Sequence, residues 1–166
     1  MPTLAPSALV DAPEIAQLHN TVAEELTLKF GAGPWSSETT ARGVEFSMKT
    51  GRVLVARERG RIVGTLRLAT RKPWAIDKSY FTPVKRALYL TDMAVMPGRQ
   101  RRGIGRAILE DAVHVARAWP ADAIRLDAWD AEAGAGAFYA KCGFVERGHV
   151  AYRRNPLIYY ERLVRP

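Results

Sequence analysis

The run Arg99-Gln100-Arg101-Arg102-Gly103-Ile104-Gly105-Arg106 gathers four arginines and two glycines within eight residues. Before it stands Leu88-Tyr89-Leu90-Thr91-Asp92-Met93-Ala94-Val95, apolar and rich in β-formers, closed by Met96-Pro97-Gly98. After it, Ile104, Ile108, Ala112, Val115 and Trp119 recur at steps of three or four, the spacing of a helix. The arginines and glycines therefore fall where a strand turns into a helix. A helix start carries backbone N–H groups without intrahelical partners and the positive end of the dipole. Glycine lets a bulky anion approach that backbone. The chemistry this favours is capture of a pyrophosphate. The same residues also read as a tight turn before a core helix with solvated arginines, and the loop alone leaves both readings open.

Two familiar nucleotide loops are excluded. No Gly-x-x-x-x-Gly-Lys-Ser/Thr run exists, and Gly103-Ile104-Gly105 lacks the third glycine of Gly-x-Gly-x-x-Gly. The pattern that matches is Gln/Arg-x-x-Gly-x-Gly/Ala. Met93-Ala94-Val95 precedes it and Ala137-Phe138-Tyr139-Ala140-Lys141-Cys142-Gly143-Phe144 follows it. In the order and spacing of these three pieces the chain resembles the GNAT N-acetyltransferase superfamily. The resemblance is firm over residues 52–148 and looser outside them. It implies an enzyme, an acyltransferase, with acetyl-coenzyme A (acetyl-CoA) as cofactor and an amine as acceptor, a small molecule or a peptide. No Cys–His–Asp order suggests a covalent acyl-enzyme, so direct transfer is expected. A catalytically silent CoA-binding or regulatory domain of the same fold is the rival reading. A basic nucleic-acid-binding module is a third.

The resemblance also implies roles. Arg101, Arg102, Gly103, Ile104, Gly105 and Arg106 would hold the pyrophosphate through backbone N–H groups with guanidinium help. Met93, Ala94 and Val95 would offer backbone groups to the pantetheine amides, freed by a bulge in their strand. Read as residues alone, these three belong to an ordinary core strand. Tyr139 would touch the cofactor and protonate the departing thiolate; its alternative is a half-buried tyrosine covering the core. Two carboxylates compete as the base that takes the amine proton. Asp127 lies on the strand before the tyrosine helix, and Asp92 lies just before the expected bulge. Asp130 and Glu132 stand at the next strand-to-helix turn, and Glu132 falls where many relatives place a cofactor-contacting asparagine. Trp35, Trp74, Tyr80 and Phe81 fall in irregular segments, where they either line the acceptor site or form a satellite apolar cluster.

Apolar residues make 48% and charged residues 25% of the 166, the balance of an ordinary globule of one domain, residues 1–166. No apolar run approaches a membrane span, and Met1-Pro2-Thr3 opens no signal peptide. Cys142 stands alone and His19, His114 and His149 are scattered, so no metal cluster is expected. Together these point to a cytoplasmic protein. The net charge of +8 suits an anionic cofactor or weak polyanion binding. No motif for specific nucleic-acid recognition accompanies it. A homodimer is one expectation for a domain of this size.

The elements that must position these residues alternate in type. Residues 3–10 are expected to hold a short first strand, limited by Pro6 to an edge or an irregular path. Asp11 and Glu14 read as a capping box opening a helix with Ile15, Leu18, Val22 and Leu26 on one stripe. Ser36 or Ser37 would cap a second helix. Strands are expected at 53–56, 62–68, 88–95, 124–129, 145–152 and 157–163, the last two as a hairpin around Asn155-Pro156. Helices are expected at about 104–118 and 132–141. Residues 71–86 follow neither period. The result is an α/β (α+β, three-layer) fold with helices on both faces of the sheet. In the resembled family that sheet is mixed, mostly antiparallel and twisted, with six or seven strands.

Overall fold

The computed structural model describes residues 1–165. Its elements run β1 (Leu4–Pro6), α1 (Ala12–Phe30), α2 (Ala41–Thr50), β2 (Arg52–Glu58), β3 (Arg61–Ala69), β4 (Ala87–Val95), α3 (Ile104–Ala118), β5 (Ala123–Trp129), α4 (Gly136–Lys141), β6 (Val145–Tyr152) and β7 (Asn155–Leu163). The seven strands join in the order β1-β2-β3-β4-β5-β7-β6. The β1–β2, β2–β3, β5–β7 and β6–β7 pairs are antiparallel; β4–β5 is parallel. A parallel pair needs a crossover, and α3 supplies it. This is the mixed, mostly antiparallel sheet with helices expected from the sequence. The chain forms two compact units, Met1–Ala69 with Thr91–Ala112, and Thr70–Leu90 with the residues from 113 onward.

In the first unit the stripe of α1 is buried at Ile15 and Leu18, packed with Val44 of α2 and with Val53, Val55, Ile62 and Ala94 of the strands. Each such valine, leucine or isoleucine side chain contributes about 1.5–3 kcal/mol through burial. Asp11 and Glu14 do not form the expected capping box. The Asp11 carboxylate accepts the Ala8 N–H at 2.8 Å and pairs with Arg57 at 2.6 Å. Glu14 accepts the Ile62 N–H at 2.9 Å and pairs with Arg61 at 3.3 Å. Asp11 keeps one local partner in Ala8, but the partners on β2 and β3 draw both carboxylates away from a box across the start of α1. At α2 the cap is Thr40, whose hydroxyl accepts the Gly43 N–H at 3.0 Å. Ser36 closes a separate 3-10 turn, Pro34–Ser36.

In the second unit β5, β7 and β6 form an antiparallel ribbon. The β6–β7 turn is Arg153-Arg154, both in the left-handed region at φ 48° and 69°. Asn155 and Pro156 are already paired in the ladder. Two positive-φ residues suit a two-residue hairpin, but arginine is not the residue type that signals it. Helix α4 begins at Gly136, four residues later than expected from Glu132. The Gly134 N–H bonds the Ala131 carbonyl at 2.9 Å, so a turn occupies the predicted first helical turn. Residues 70–86 lack regular structure apart from a 3-10 turn, Lys78–Tyr80. They are nonetheless clamped. Buried Arg125 donates to the Thr82 carbonyl at 2.6 Å and to Glu161 at 2.9 Å, while Glu161 accepts the Thr82 N–H at 3.2 Å. The Tyr159 hydroxyl donates to the Ala75 carbonyl and accepts the Asp77 N–H at 3.0 Å. Ile76 and Phe81 are buried against Tyr89 and Tyr159.

Candidate active site

The arginine–glycine loop lies wholly in the first unit. The Gly103 carbonyl accepts the Ala107 N–H at 3.0 Å, which makes Gly103 the cap of α3. Positive φ recurs at Arg101 (61°) and Gly103 (81°), the kind of left-handed backbone from which anion-binding nests are built. A Cβ on Gly103 would meet only the Met1 side chain, at 3.5 Å, so conformation rather than crowding calls for glycine there. Arg101, Arg102 and Arg106 are exposed. Arg99 pairs with Glu58 at 3.1 Å. Nest, helix dipole and exposed guanidiniums are the donor set a pyrophosphate requires. Ile104 is buried and Gly105 half-buried in the first helical turn.

Strand β4 is irregular where the sequence expects a bulge. Its register with β5 covers Ala87 to Tyr89. Asp92 itself, rather than a residue after it, takes the left-handed conformation at φ 52°. Aspartate tolerates that region better than most side chains. Ala94 is buried and Met93 and Val95 are half-buried, so their side chains are core. The Val95 carbonyl accepts from the Gln100 side chain at 3.1 Å, and the Met96 N–H bonds Val63 at 2.8 Å.

Exposed Asp92 lines a cavity of about 270 Å³ in the first unit, with Ile15 and His19 of α1, Glu38, Val44 of α2 and Arg67 of β3. Burial holds the His19 ring below the ordinary imidazole range, and the Asp92 charge opposes that shift. Arg67 is fixed by the Ser47 carbonyl at 3.1 Å and the Thr50 hydroxyl at 2.7 Å. Sequence reasoning missed His19 as a site residue. The signal was its place four residues after Ile15, on the apolar stripe of α1. Trp35 also belongs to this unit. Its indole donates to the Gly31 carbonyl at 2.9 Å and its ring covers Gly33, where a Cβ would lie 2.5 Å from it.

The second unit brings Tyr139 and Asp127 together. Tyr139 is buried on α4, 5.7 Å centroid to centroid from Phe144 and 6.3 Å from Tyr160. Burial, then the charges of Asp127 and Cys142, push its hydroxyl well above the ordinary phenol range. It is therefore neutral and able to donate at any physiological pH. Burial raises the Asp127 carboxyl as well, which makes it a stronger base than a solvated carboxylate. Glu132 is exposed in the turn before α4, outside the helix. Exposed Asp130 bonds His149 at 3.2 Å. Trp74 and Tyr80 line one shallow cleft with Ile76, Tyr152 and Tyr159. Tyr80 packs edge-on against Tyr159 at 5.4 Å and covers Gly148, while Trp74 is 81% exposed. Among the described residues no group of three metal ligands exists, and no helix is long and apolar enough to cross a membrane.

The Acetyltransferase (GNAT) family profile matches residues 16–144. The chain therefore belongs to the GNAT acetyltransferase family, whose cofactor is acetyl-CoA. No curated protein sequence is significantly similar to it. Among solved structures, it is similar to a ribosomal-protein-alanine N-acetyltransferase from Brucella melitensis, at 17% identity and TM-score 0.73, covering 96% of this chain and 98% of that one. The ribosomal-protein-S18-alanine N-acetyltransferase of Escherichia coli gives 17% identity and TM-score 0.73, covering 100% and 96%. The yncA protein of Salmonella typhimurium, solved with its cofactor acetyl-CoA, gives 16% and 0.70, covering 99% and 94%. At these identities the likeness is one of fold.

Proposed function

We propose that this chain, acting as a single domain, transfers an acetyl group from acetyl-CoA directly to the amine of a small molecule or peptide. The observation that carries this is the left-handed nest at Arg101 and Gly103 capping α3, in a chain of the GNAT family. Acetyl-CoA supplies an activated thioester. Residues 101–106 bind its pyrophosphate through backbone N–H groups, with Arg101, Arg102 and Arg106 adding charge. The backbone of Met93, Ala94 and Val95, beyond the left-handed Asp92, holds the pantetheine amides, and one N–H there polarises the carbonyl. Tyr139 donates its hydroxyl proton toward the leaving sulfur. The amine proton passes to a carboxylate. Asp127 has the raised pKa suited to that task, and Asp92 has the cavity and a neighbouring imidazole. Glu132 is a further group for the cofactor, and Trp35, Trp74 and Tyr80 are the aromatic surfaces offered to an acceptor.

A thiol-release assay across a broad amine panel tests the proposal. Amine-dependent release of CoA, with the acetylated amine seen by mass spectrometry, is expected. A chain that binds acetyl-CoA yet acetylates no amine would be the silent domain instead.

A further inference from the structure

In the second unit a cleft of about 590 Å³ opens beside the start of β4, within the size range of small-ligand sites. Lys78, Lys85 and Arg86 line it, all three exposed and all three from the clamped segment 70–86. Trp119, half-buried just past the end of α3, is the one tryptophan of the lining, which also includes Val84 and Leu88. Arg125 also lines the cleft, but its charge is matched by Glu161 at 2.9 Å. Among the described residues no carboxylate lines it. Asp122, next to lining residue Ala121, accepts the backbone N–H of Arg86 at 2.9 Å and pairs with Arg165 at 4.0 Å. Three like charges would repel one another into solvent if their segment were mobile. Here Thr82 is tied on both sides, so the backbone that bears Lys78, Lys85 and Arg86 is held in place. Such a site is prepared for negative charge, and an indole in its lining suits a ligand with a flat ring.

We propose that this cleft binds a free nucleotide, its phosphates on Lys78, Lys85 and Arg86 and its base against Trp119. None of residues 101–106, the proposed pyrophosphate loop, lines the cleft. The proposal does not depend on the transferase reading.

Calorimetric titration of the full chain with ADP tests it, against inorganic pyrophosphate and a short single-stranded RNA. Saturable ADP binding is expected. The double variant Lys85→Glu/Arg86→Glu should weaken it about tenfold or more, because charge-assisted hydrogen bonds are replaced by repulsion. Its melting-temperature rise with acetyl-CoA should stay that of the parent chain, which shows that the fold and the cofactor loop are intact. Trp119→Leu should weaken ADP and leave pyrophosphate unchanged. ADP binding that survives the double variant but is lost in Gly103→Asp would place the nucleotide on the cofactor loop and overturn the proposal. Equal affinity for pyrophosphate and ADP, indifferent to Trp119→Leu, would reduce the cleft to a charge sink and overturn it too. So would RNA binding through Lys85 and Arg86 without ADP binding.

Discussion

The Tyr139 hydroxyl shows how one environment cuts two ways. The burial that keeps it protonated also makes it a weaker acid than a solvated phenol. It is therefore better suited to a hydrogen bond on the developing thiolate than to early, complete proton transfer. A thiolate is a tolerable leaving group unaided. Tyr139→Phe should lower kcat by about 10²-fold or less, the low end of general-acid effects, with the KM for acetyl-CoA nearly unchanged. Steady-state kinetics on a good acceptor with rate-limiting chemistry would check this; an unchanged kcat would leave Tyr139 a packing residue. Asp127 gives a prediction of opposite sign for stability. Its folded pKa lies above the unfolded value of about 3.9. The fold thus favours the protonated form, and that contribution is lost as pH rises through the folded pKa. Asp127→Asn should raise thermal stability at pH 7, and the difference should vanish below about pH 3.9. If Asp127 is the base, the same variant loses activity at neutral pH and recovers as more amine arrives deprotonated. Full activity at pH 7 would transfer the role to Asp92 with His19.

Among the elements, the loop before α3 and the strand β4 were the most legible. Gly103 and Gly105 sit between a β-rich run and a 3.6-residue period, and the structure turns from strand to helix there. Gly103→Asp should abolish most of the melting-temperature rise given by acetyl-CoA. It adds a charge of the wrong sign and forces a side chain into φ 81°. A full shift in that variant would mean that the cofactor binds elsewhere. What the sequence hid was decided by partners far along the chain. Asp11 and Glu14 look like a local cap, but Arg57 and the Ile62 N–H lie 46 and 48 residues away. The Arg153-Arg154 turn has the geometry of an Asn-Gly turn without its residues. His19 was hidden as one more polar residue on a helix, and only the cavity gives it a meaning. Residues 70–86 were unreadable because their order comes from side chains on β5 and β7, not from any period of their own.

For the whole molecule, the charge of +8 predicts weak, sequence-independent affinity for DNA that fades with salt. Gel-shift titrations between low and physiological salt would check it; tight selective binding at physiological salt would contradict the enzyme reading. The clamp on segment 70–86 has a consequence for how the protein ages in a cell extract. Arg71, Lys78, Lys85 and Arg86 are four exposed trypsin targets in a stretch of almost no regular structure. A protease must draw a stretch of several residues into its own cleft in extended form. With Thr82 held by Arg125 and Glu161, cutting there has to wait for a rare local opening. Glu161→Gln leaves Arg125 a buried, unmatched charge, a loss of about 3–5 kcal/mol for a broken buried pair. The parent chain should survive brief trypsin treatment, whereas the variant should be nicked first between residues 71 and 86, with the fragment masses reporting the site. Equal rates for the two would show that the clamp does not guard the segment. One buried ion pair thus sets how long an otherwise vulnerable surface lasts.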